Sequence, residues 1–145
     1  MLTRDSTGTR QMILIELQGQ PQGKGRPRFV RRGRFVSTYT PTKTRKYEQA
    51  LAERAIKIMN GQSLLREPLR VNVVASFAVP PSWPRKRRDA ALVGVKLPTT
   101  RPDYDNLLKI LDALNGIVWH DDAQIVEATV RKCYSESPSL RDQPP

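Results

Sequence analysis

Six of the fourteen carboxylates in this 145-residue chain lie between residues 101 and 127, in the stretch RPDYDNLLKILDALNGIVWHDDAQIVE. Two close pairs stand out, Asp103 with Asp105 and Asp121 with Asp122. Clustered carboxylates raise one another's pKa values unless a cation neutralises them. Magnesium prefers oxygen ligands and keeps some water, so two or three aspartates suffice when a substrate phosphate supplies the rest. The pattern therefore indicates metal-assisted phosphodiester hydrolysis, in which a metal activates water and stabilises the leaving oxygen.

A helix is predicted to position the first pair. Its apolar residues recur at i, i+3, i+4 and i+7, which defines one helical face formed by Leu107, Ile110, Leu111 and Leu114. We expect Asp105 or Asn106 to cap the start of this helix and Gly116 to end it. Asp103 then lies in the segment that leads into the helix, so the two carboxylates converge at its entrance. The second pair occupies the turn before the last strand.

The polar face of the same helix holds Asp105, Lys109 and Asp112, opposite the leucines. Lys109 is one turn from Asp105, where it could hold a phosphate oxygen or stabilise charge that develops in the transition state. A plainer interpretation stays open. Asp105 can be only a helix cap, Lys109 its i,i+4 partner, and the HDD sequence at 120–122 a polar turn.

The composition indicates a polyanionic partner. The chain has 25 Lys and Arg residues, a net charge of +11 and a pI near 10.4, which favours nucleic acid. A ribosomal-type or merely soluble cationic protein fits the composition equally well. One cysteine, Cys133, fits a reducing cytosol, and the apolar run MILIEL is too short to cross a membrane. We expect a cytoplasmic protein with no membrane partner.

Two segments carry most of the positive charge. Residues 22–46 hold nine Lys or Arg and no acid, with Phe29, Phe35 and Tyr39 interleaved, and are predicted to form a loop or bent hairpin. The run Arg85 to Arg88 lies in a Pro-rich connection over residues 80–102, in which Trp83 could either pack or stack on a base.

The remaining patterns predict one domain. Strands are expected over residues 12–18, 69–79 and 124–134, and a helix over residues 41–60 that starts at Thr40 and Pro41. The segment SESPSLRDQPP has little apolar content, so residues 135–145 are predicted to be a disordered tail after a domain of residues 1–134.

Taken together, these motifs resemble a known family. The pattern D-x-D-N-x-x-K, then D-A-L and an apolar segment ending in D-D-A-Q, is similar to the core of the RusA family of Holliday-junction resolvases. The upstream GKGRPRFVRRGRFVSTYTPTKTRKYE resembles the basic N-terminal segment of its phage-type members. The resemblance covers residues 19–48 and 101–127. One departure is that Arg85 to Arg88 lie about fifteen residues before the acidic motif rather than against it.

The resemblance implies an α+β fold, with one domain in which a mixed β-sheet packs with two main helices, and a homodimer. It implies an endonuclease that uses Mg²⁺, or Mn²⁺ in its place, to cut branched DNA and four-way junctions by paired nicks during recombination and repair. A phage or prophage origin in a bacterial host follows from the same resemblance. It makes Asp103, Asp105 and Asp122 the metal-binding catalytic carboxylates and Lys109 the catalytic lysine. Asp121 is a further candidate ligand.

A set of basic residues is predicted to grip DNA phosphates, which recognises backbone and shape rather than base sequence. The set comprises Lys24, Arg26, Arg28, Arg31, Arg32, Arg34, Arg85, Lys86, Arg87, Arg88 and Arg101. Two other functions use the same features. One is a flap or fork nuclease in phage replication or packaging, and the other is a non-catalytic DNA-binding protein.

Overall fold

The computed structural model describes residues 2–4, 10–25, 28–39 and 41–142. Eight strands are found in this part of the chain: β1 (Leu2–Arg4), β2 (Arg10–Met12), β3 (Glu16–Gln18), β4 (Arg28–Arg32), β5 (Phe35–Tyr39), β6 (Leu69–Ala78), β7 (Ile125–Ser135) and β8 (Ser139–Asp142). Three α-helices are α1 (Thr42–Met59), α2 (Arg85–Leu92) and α3 (Tyr104–Lys109). Two 3₁₀ helices span Ile110–Leu114 and Asp122–Gln124.

Strand β6 is the centre of a six-stranded mixed sheet. It pairs in parallel with β7 along its whole length, and antiparallel with β1 and β8. Strand β3 extends the sheet beyond β8, and β2 extends it beyond β1. A parallel pair requires a crossover connection, and here the crossover from β6 to β7 contains α2 and α3. The helix that carries Asp105 is therefore held against the sheet by the chain topology.

Strand β6 and helix α1 form because their apolar residues follow the strand and helix periods. Leu69, Val71 and Val73 are buried on one face of β6, as the alternation predicts. Helix α1 buries Leu51 and Ala55 toward the core. Its predicted range is confirmed to within one residue at each end. The predicted cap Thr40 lies outside the described residues.

Helix α1, the sheet and the 3₁₀ segment after α3 enclose one hydrophobic core. The largest fully buried side chains are Trp119, Leu69, Leu107, Ile110, Val73 and Val118. The predicted leucine face is confirmed, since Leu107, Ile110, Leu111 and Leu114 all belong to this core. The α+β fold class is therefore confirmed. No helix in the described ranges has the length and apolar character needed to cross a bilayer.

The expected bent hairpin in the basic segment is confirmed. Strands β4 and β5 form a separate two-stranded antiparallel sheet joined by a two-residue turn at Gly33 and Arg34. Gly33 has φ +62°, a conformation that favours glycine and suits a tight hairpin. Arg26, a predicted DNA contact, lies outside the described residues.

Three expectations need correction. The predicted tail is wrong for Ser139–Asp142, which form β8 because Leu140 is buried between β3 and β6. Residues 143–145 lie outside the described residues. The single strand expected over residues 12–18 is two short strands, β2 and β3. The basic connection contains α2, so the whole run Arg85 to Arg88 lies on a helix, with Arg85, Lys86 and Arg87 exposed and Arg88 half-buried.

Candidate active site

Asp103 and Asp105 both lie in the first turn of α3. Asp103 is the N-cap residue, with extended backbone and a carbonyl that accepts the amide of Leu107 at 3.1 Å. Its side chain makes no capping hydrogen bond, so both carboxylate oxygens of this exposed residue remain available. The expectation that Asp105 or Asn106 caps the helix is therefore wrong, because the helix begins two residues earlier.

Asp105 and Lys109 form an ion pair across one turn of α3. Lys109 Nζ lies 3.6 Å from Asp105 Oδ2, and their side chains are 60% and 50% exposed, respectively. An exposed pair of this kind contributes little to stability. Both charges therefore remain accessible to a ligand. The α-helix then tightens to a 3₁₀ helix over Ile110–Leu114, and Gly116, just beyond its C-cap Asn115, has the predicted left-handed conformation with φ +80°.

Asp122 is held by the core. The indole Nε1 of Trp119, which is fully buried, donates a hydrogen bond to Asp122 Oδ1 at 2.7 Å. One carboxylate oxygen is thereby fixed in position, and the side chain as a whole remains partly exposed. Trp119 belongs to the hydrophobic core, so this polar contact joins the core to the site. A buried indole N–H needs a partner, which is the signal that could have found it.

The turn that carries Asp122 is rigid because it closes as a capping box. Asp121 Oδ1 accepts the amide of Ala123 at 2.9 Å, and Gln124 Oε1 accepts the amide of Asp121 at 2.8 Å. The Gln124 side-chain amide also donates to the carbonyls of Leu65 and Glu67. Asp121 is thus used as a helix cap. The D-x-x-Q spacing at 121–124 is the sequence signal for this motif.

The donor chemistry at Asp103, Asp105 and Asp122 fits a hard divalent cation, since all three offer partly or fully exposed carboxylate oxygens. Within the described ranges, however, no group of three or more His, Cys, Asp or Glu side chains is placed to hold a metal ion. In this conformation a cation would need oxygen ligands from water and substrate phosphate as well. The assignment of the three aspartates to one metal stays a prediction.

Residues 23–25, near the start of the basic segment, pack directly against α3 and α1. The backbone amide of Lys24 donates to the carbonyl of Asn106 at 2.9 Å. A side chain at Gly23 would place its Cβ 2.7 Å from Pro102 Cβ and 3.0 Å from Asn106 Cβ, closer than atoms can approach. Gly25 continues the contact toward α1, where its amide donates to Thr44 Oγ1 at 3.1 Å. Because position 23 is glycine, residues 23–25 can pack closely against the start of α3, next to Asp103.

Lys24 forms two ion pairs within the fold. Its Nζ lies 3.0 Å from Asp112 Oδ2 and 3.4 Å from Glu48 Oε1. Partial burial lowers the pKa of Lys24, but the hydrogen bond and charge of Asp112 and the charge of Glu48 outweigh it, so the pKa is raised. These contacts join the basic segment to α1 and the segment after α3, and the role of Lys24 as a DNA contact stays a prediction.

The other basic residues predicted to contact DNA fall on two exposed surfaces and a linker. Those of the hairpin are Arg28, Arg31, Arg32 and Arg34, all exposed. Those of α2 are Arg85, Lys86, Arg87 and Arg88. Arg101 is exposed in the segment before α3.

Trp83 is part of a side-chain stack beside α2. The Arg87 guanidinium lies 3.9 Å from the centre of its ring, and Tyr134 meets it edge-to-face at 5.3 Å. Of the two interpretations left open for Trp83, the structure therefore supports packing.

A cleft of about 300 Å³ opens beside the start of α3. Its polar and aromatic lining includes Lys43, Arg101 and Tyr134, and Pro102 brings it next to Asp103. Sequence reasoning missed Lys43, which lies in the first turn of α1 and is brought here only by the tertiary fold. The charged side chains in its lining, Lys43 and Arg101, are both cationic.

The fold and the site define a basic α+β protein with accessible carboxylates and exposed cationic surfaces, features expected of a nuclease. The family model described as Endodeoxyribonuclease RusA matches residues 18–141. The chain belongs to the RusA endodeoxyribonuclease family. It is also similar to the "Uncharacterized protein YqaN" of Bacillus subtilis (strain 168), with 33% identity over 131 residues, which are 88% of this chain and 92% of YqaN.

Proposed function

We propose that this protein is a magnesium-dependent, structure-selective endodeoxyribonuclease that resolves Holliday junctions by paired symmetric nicks. In this role it would act in DNA recombination and repair in a bacterial cytoplasm. The observation that carries the proposal is the match to Endodeoxyribonuclease RusA over residues 18–141, which includes every acidic residue of the candidate site. The net charge of +11 supports DNA as the substrate.

In the proposed mechanism Asp103, Asp105 and Asp122 hold Mg²⁺, with Mn²⁺ as an alternative. When bound, the metal supplies activation of a water nucleophile and stabilisation of charge on the leaving oxygen. Lys109 is one helical turn from Asp105, and its exposed ammonium orients a phosphate oxygen. Its ion pair with Asp105 keeps that ammonium beside the acidic residues until phosphate arrives.

Trp119 and Gln124 are positioning residues in this mechanism. Trp119 fixes one oxygen of Asp122, and Gln124 fastens the turn to the backbone at Leu65 and Glu67. Holding the carboxylate in place reduces the reorganisation needed when substrate binds. The side chain of Asp122 is thus oriented by the core rather than by solvent.

The cationic surfaces bring DNA to the site. Phosphates would approach the arginines of the hairpin and of α2, and a metal held by the aspartates would offset the negative charge that otherwise repels them. Two symmetric nicks require two active sites related by a twofold axis, so we propose that the active form is a homodimer.

The proposal is tested by substitution at Asp103. Asp103→Asn should keep binding to a four-way junction and abolish magnesium-dependent cleavage, measured on a gel with labelled junction strands. Asp89→Asn is the matched control, because it neutralises an exposed aspartate on α2 with only a 4.0 Å contact to Arg85. Normal cleavage by Asp103→Asn would contradict the proposed site.

A further inference from the structure

The hairpin β4–β5 exposes apolar side chains that the fold does not cover. Phe29 is 75% exposed, Phe35 80%, Val36 64% and Tyr39 42%. Single exposed apolar residues are ordinary on soluble proteins, whereas a contiguous group marks a binding surface. The strand register divides the four between the two faces, with Phe35 and Tyr39 on one face and Phe29 and Val36 on the other, so each face exposes an apolar pair.

The strand register places arginines beside these apolar groups on both faces. Arg32 lies opposite Phe35 and Arg28 opposite Tyr39, and directly opposed residues share a face of the hairpin. On the other face Arg31 lies opposite Val36. Arg31 is also two residues from Phe29 along β4, so the two side chains share that face. Each face therefore offers an apolar surface and a cation together.

The positive charge of the hairpin indicates which class of partner binds this surface. Residues 28–39 contain four arginines and no acid. Contact with another protein surface of the same positive sign is unfavourable, whereas contact with a polyanion releases counterions. Aromatic side chains combined with arginines are the means by which proteins stack on unpaired bases while holding the backbone. The surface fits nucleic acid with accessible base faces.

The base of the hairpin lies beside the candidate site. The segment entering it contacts α3 through Lys24 and Asn106, and Gly25 contacts Thr44 at the start of α1. Each strand has five residues, which corresponds to a length of about 17 Å. A ribbon of this length, in a chain whose residues 23–25 pack on α3 and the start of α1, is long enough to contact DNA that flanks the cleaved phosphate.

We propose that Phe29 and Phe35 stack on bases exposed at the branch point of junction DNA, while the hairpin arginines hold the adjacent phosphates. The hairpin thereby selects branched over linear DNA. In a linear duplex every base pair is stacked on both sides, so an aromatic side chain must first separate two base pairs. At a branch point the stacking is interrupted and that cost is smaller. This inference rests on the branched substrate of the proposed function.

The test compares the affinities of the full chain for a four-way junction and for a linear duplex made from the same arm sequences. Binding is measured in EDTA, so that cleavage does not intervene. The double variant Phe29→Ala/Phe35→Ala should bind the junction about tenfold more weakly and the duplex unchanged. The double variant Phe29→Tyr/Phe35→Tyr retains the aromatic rings and should keep the wild-type preference.

Variants that remove positive charge from the hairpin are compared with the phenylalanine variants. Arg31→Gln/Arg32→Gln should weaken binding to both DNAs alike and flatten its salt dependence. Because Phe29 and Phe35 are mostly exposed, the alanine variant should melt at the wild-type temperature, which separates loss of binding from loss of fold.

Three results would overturn the inference: an alanine variant with the wild-type preference for the junction, equal losses on both DNAs, or a tyrosine variant as weak as the alanine variant. A change only in oligomeric state would show that the hairpin binds a second copy of the chain instead.

Adding magnesium separates this inference from the proposed function. Junction preference that depends on the phenylalanines without cleavage would contradict the nuclease alone, whereas cleavage with an unchanged preference would contradict the hairpin alone.

Discussion

The buried indole of Trp119 donates a hydrogen bond to Asp122 Oδ1 at 2.7 Å, and this contact links the hydrophobic core to the candidate active site. Trp119 is fully buried. The orientation of the Asp122 carboxylate is therefore set by the same packing that stabilises the fold.

Substitution of Trp119 by Phe should weaken magnesium-dependent cleavage as well as folding. Loss of a hydrogen bond to a charged group destabilises a protein by about 2 kcal/mol. Loss of a group that orients a metal ligand typically costs about 10- to 100-fold in activity or metal affinity. We therefore expect Trp119→Phe to need more magnesium for junction cleavage, measured by titration of the metal.

Trp83→Phe is the control for Trp119→Phe, because Trp83 is packed against Arg87 and Tyr134 and has no contact with Asp122. It should leave the magnesium requirement unchanged. Equal magnesium requirements for Trp119→Phe and the wild type would contradict the positioning role.

Substitution of Gly23 by Ala should displace the basic segment from α3. The added Cβ would lie 2.7 Å from Pro102 Cβ, and overpacking of this kind costs about 1–3 kcal/mol. The free energy of unfolding, from urea titration, should fall by that amount. Gly33→Asn is the control, because nothing lies within 4 Å of a Cβ at Gly33 and Asn tolerates its positive φ. Equal stability of Gly23→Ala and the wild type would contradict the close approach.

The protein should lose stability in alkali. Burial raises the pKa of Tyr47 from 10.0 to about 12, and the pKa of Lys24 is raised from 10.5. Both groups hold their protons more tightly in the folded state than in the unfolded state. The free energy of unfolding is therefore unaffected below pH 10 and falls as the pH rises from 10 to 12. Tyr47→Phe should make this fall shallower in urea titrations.

Tyr104→Phe is the matched control for the alkaline effect, because Tyr104 is 68% exposed. It should leave the fall in stability unchanged. A fall equally steep in Tyr47→Phe and the wild type would show that Tyr47 does not contribute.

The C-terminal strand β8 should be essential for stability. Leu140 is 3% exposed and belongs to the core, and truncation of a buried leucine costs about 2–5 kcal/mol. Leu140→Ala should lower the free energy of unfolding by this amount, whereas Leu97→Ala, at a leucine 48% exposed, should have little effect. Similar stabilities of the two variants would contradict the place of β8 in the sheet.

Local periodicity predicted the elements that bury a regular apolar face. Helix α1, strand β6 and the leucine face after Asp105 all follow the helix or strand period, and each is confirmed. Strand β8 escaped prediction because its burial depends on a single leucine that the tertiary fold places between β3 and β6. A four-residue strand has too few residues for a periodic pattern to distinguish it from a tail.

The candidate site was only partly predictable, because some of its contacts depend on the tertiary fold. The sequence shows the types and spacing of Asp103, Asp105, Asp122 and Lys109. The ion pair between Asp105 and Lys109 follows from helix geometry alone. The hydrogen bond from Trp119, the seating of Gly23 on α3 and the approach of Lys43 to the cleft depend on long-range contacts. Such contacts leave no periodic signal in one sequence.

Cleavage of a labelled four-way junction with and without magnesium, next to a linear duplex of the same sequence, tests the proposed function most directly. We expect paired symmetric nicks in the junction only when magnesium is present, and far slower cutting of the duplex. Junction DNA left intact by magnesium, or a duplex cut as fast as the junction, would contradict the assignment as a magnesium-dependent junction resolvase.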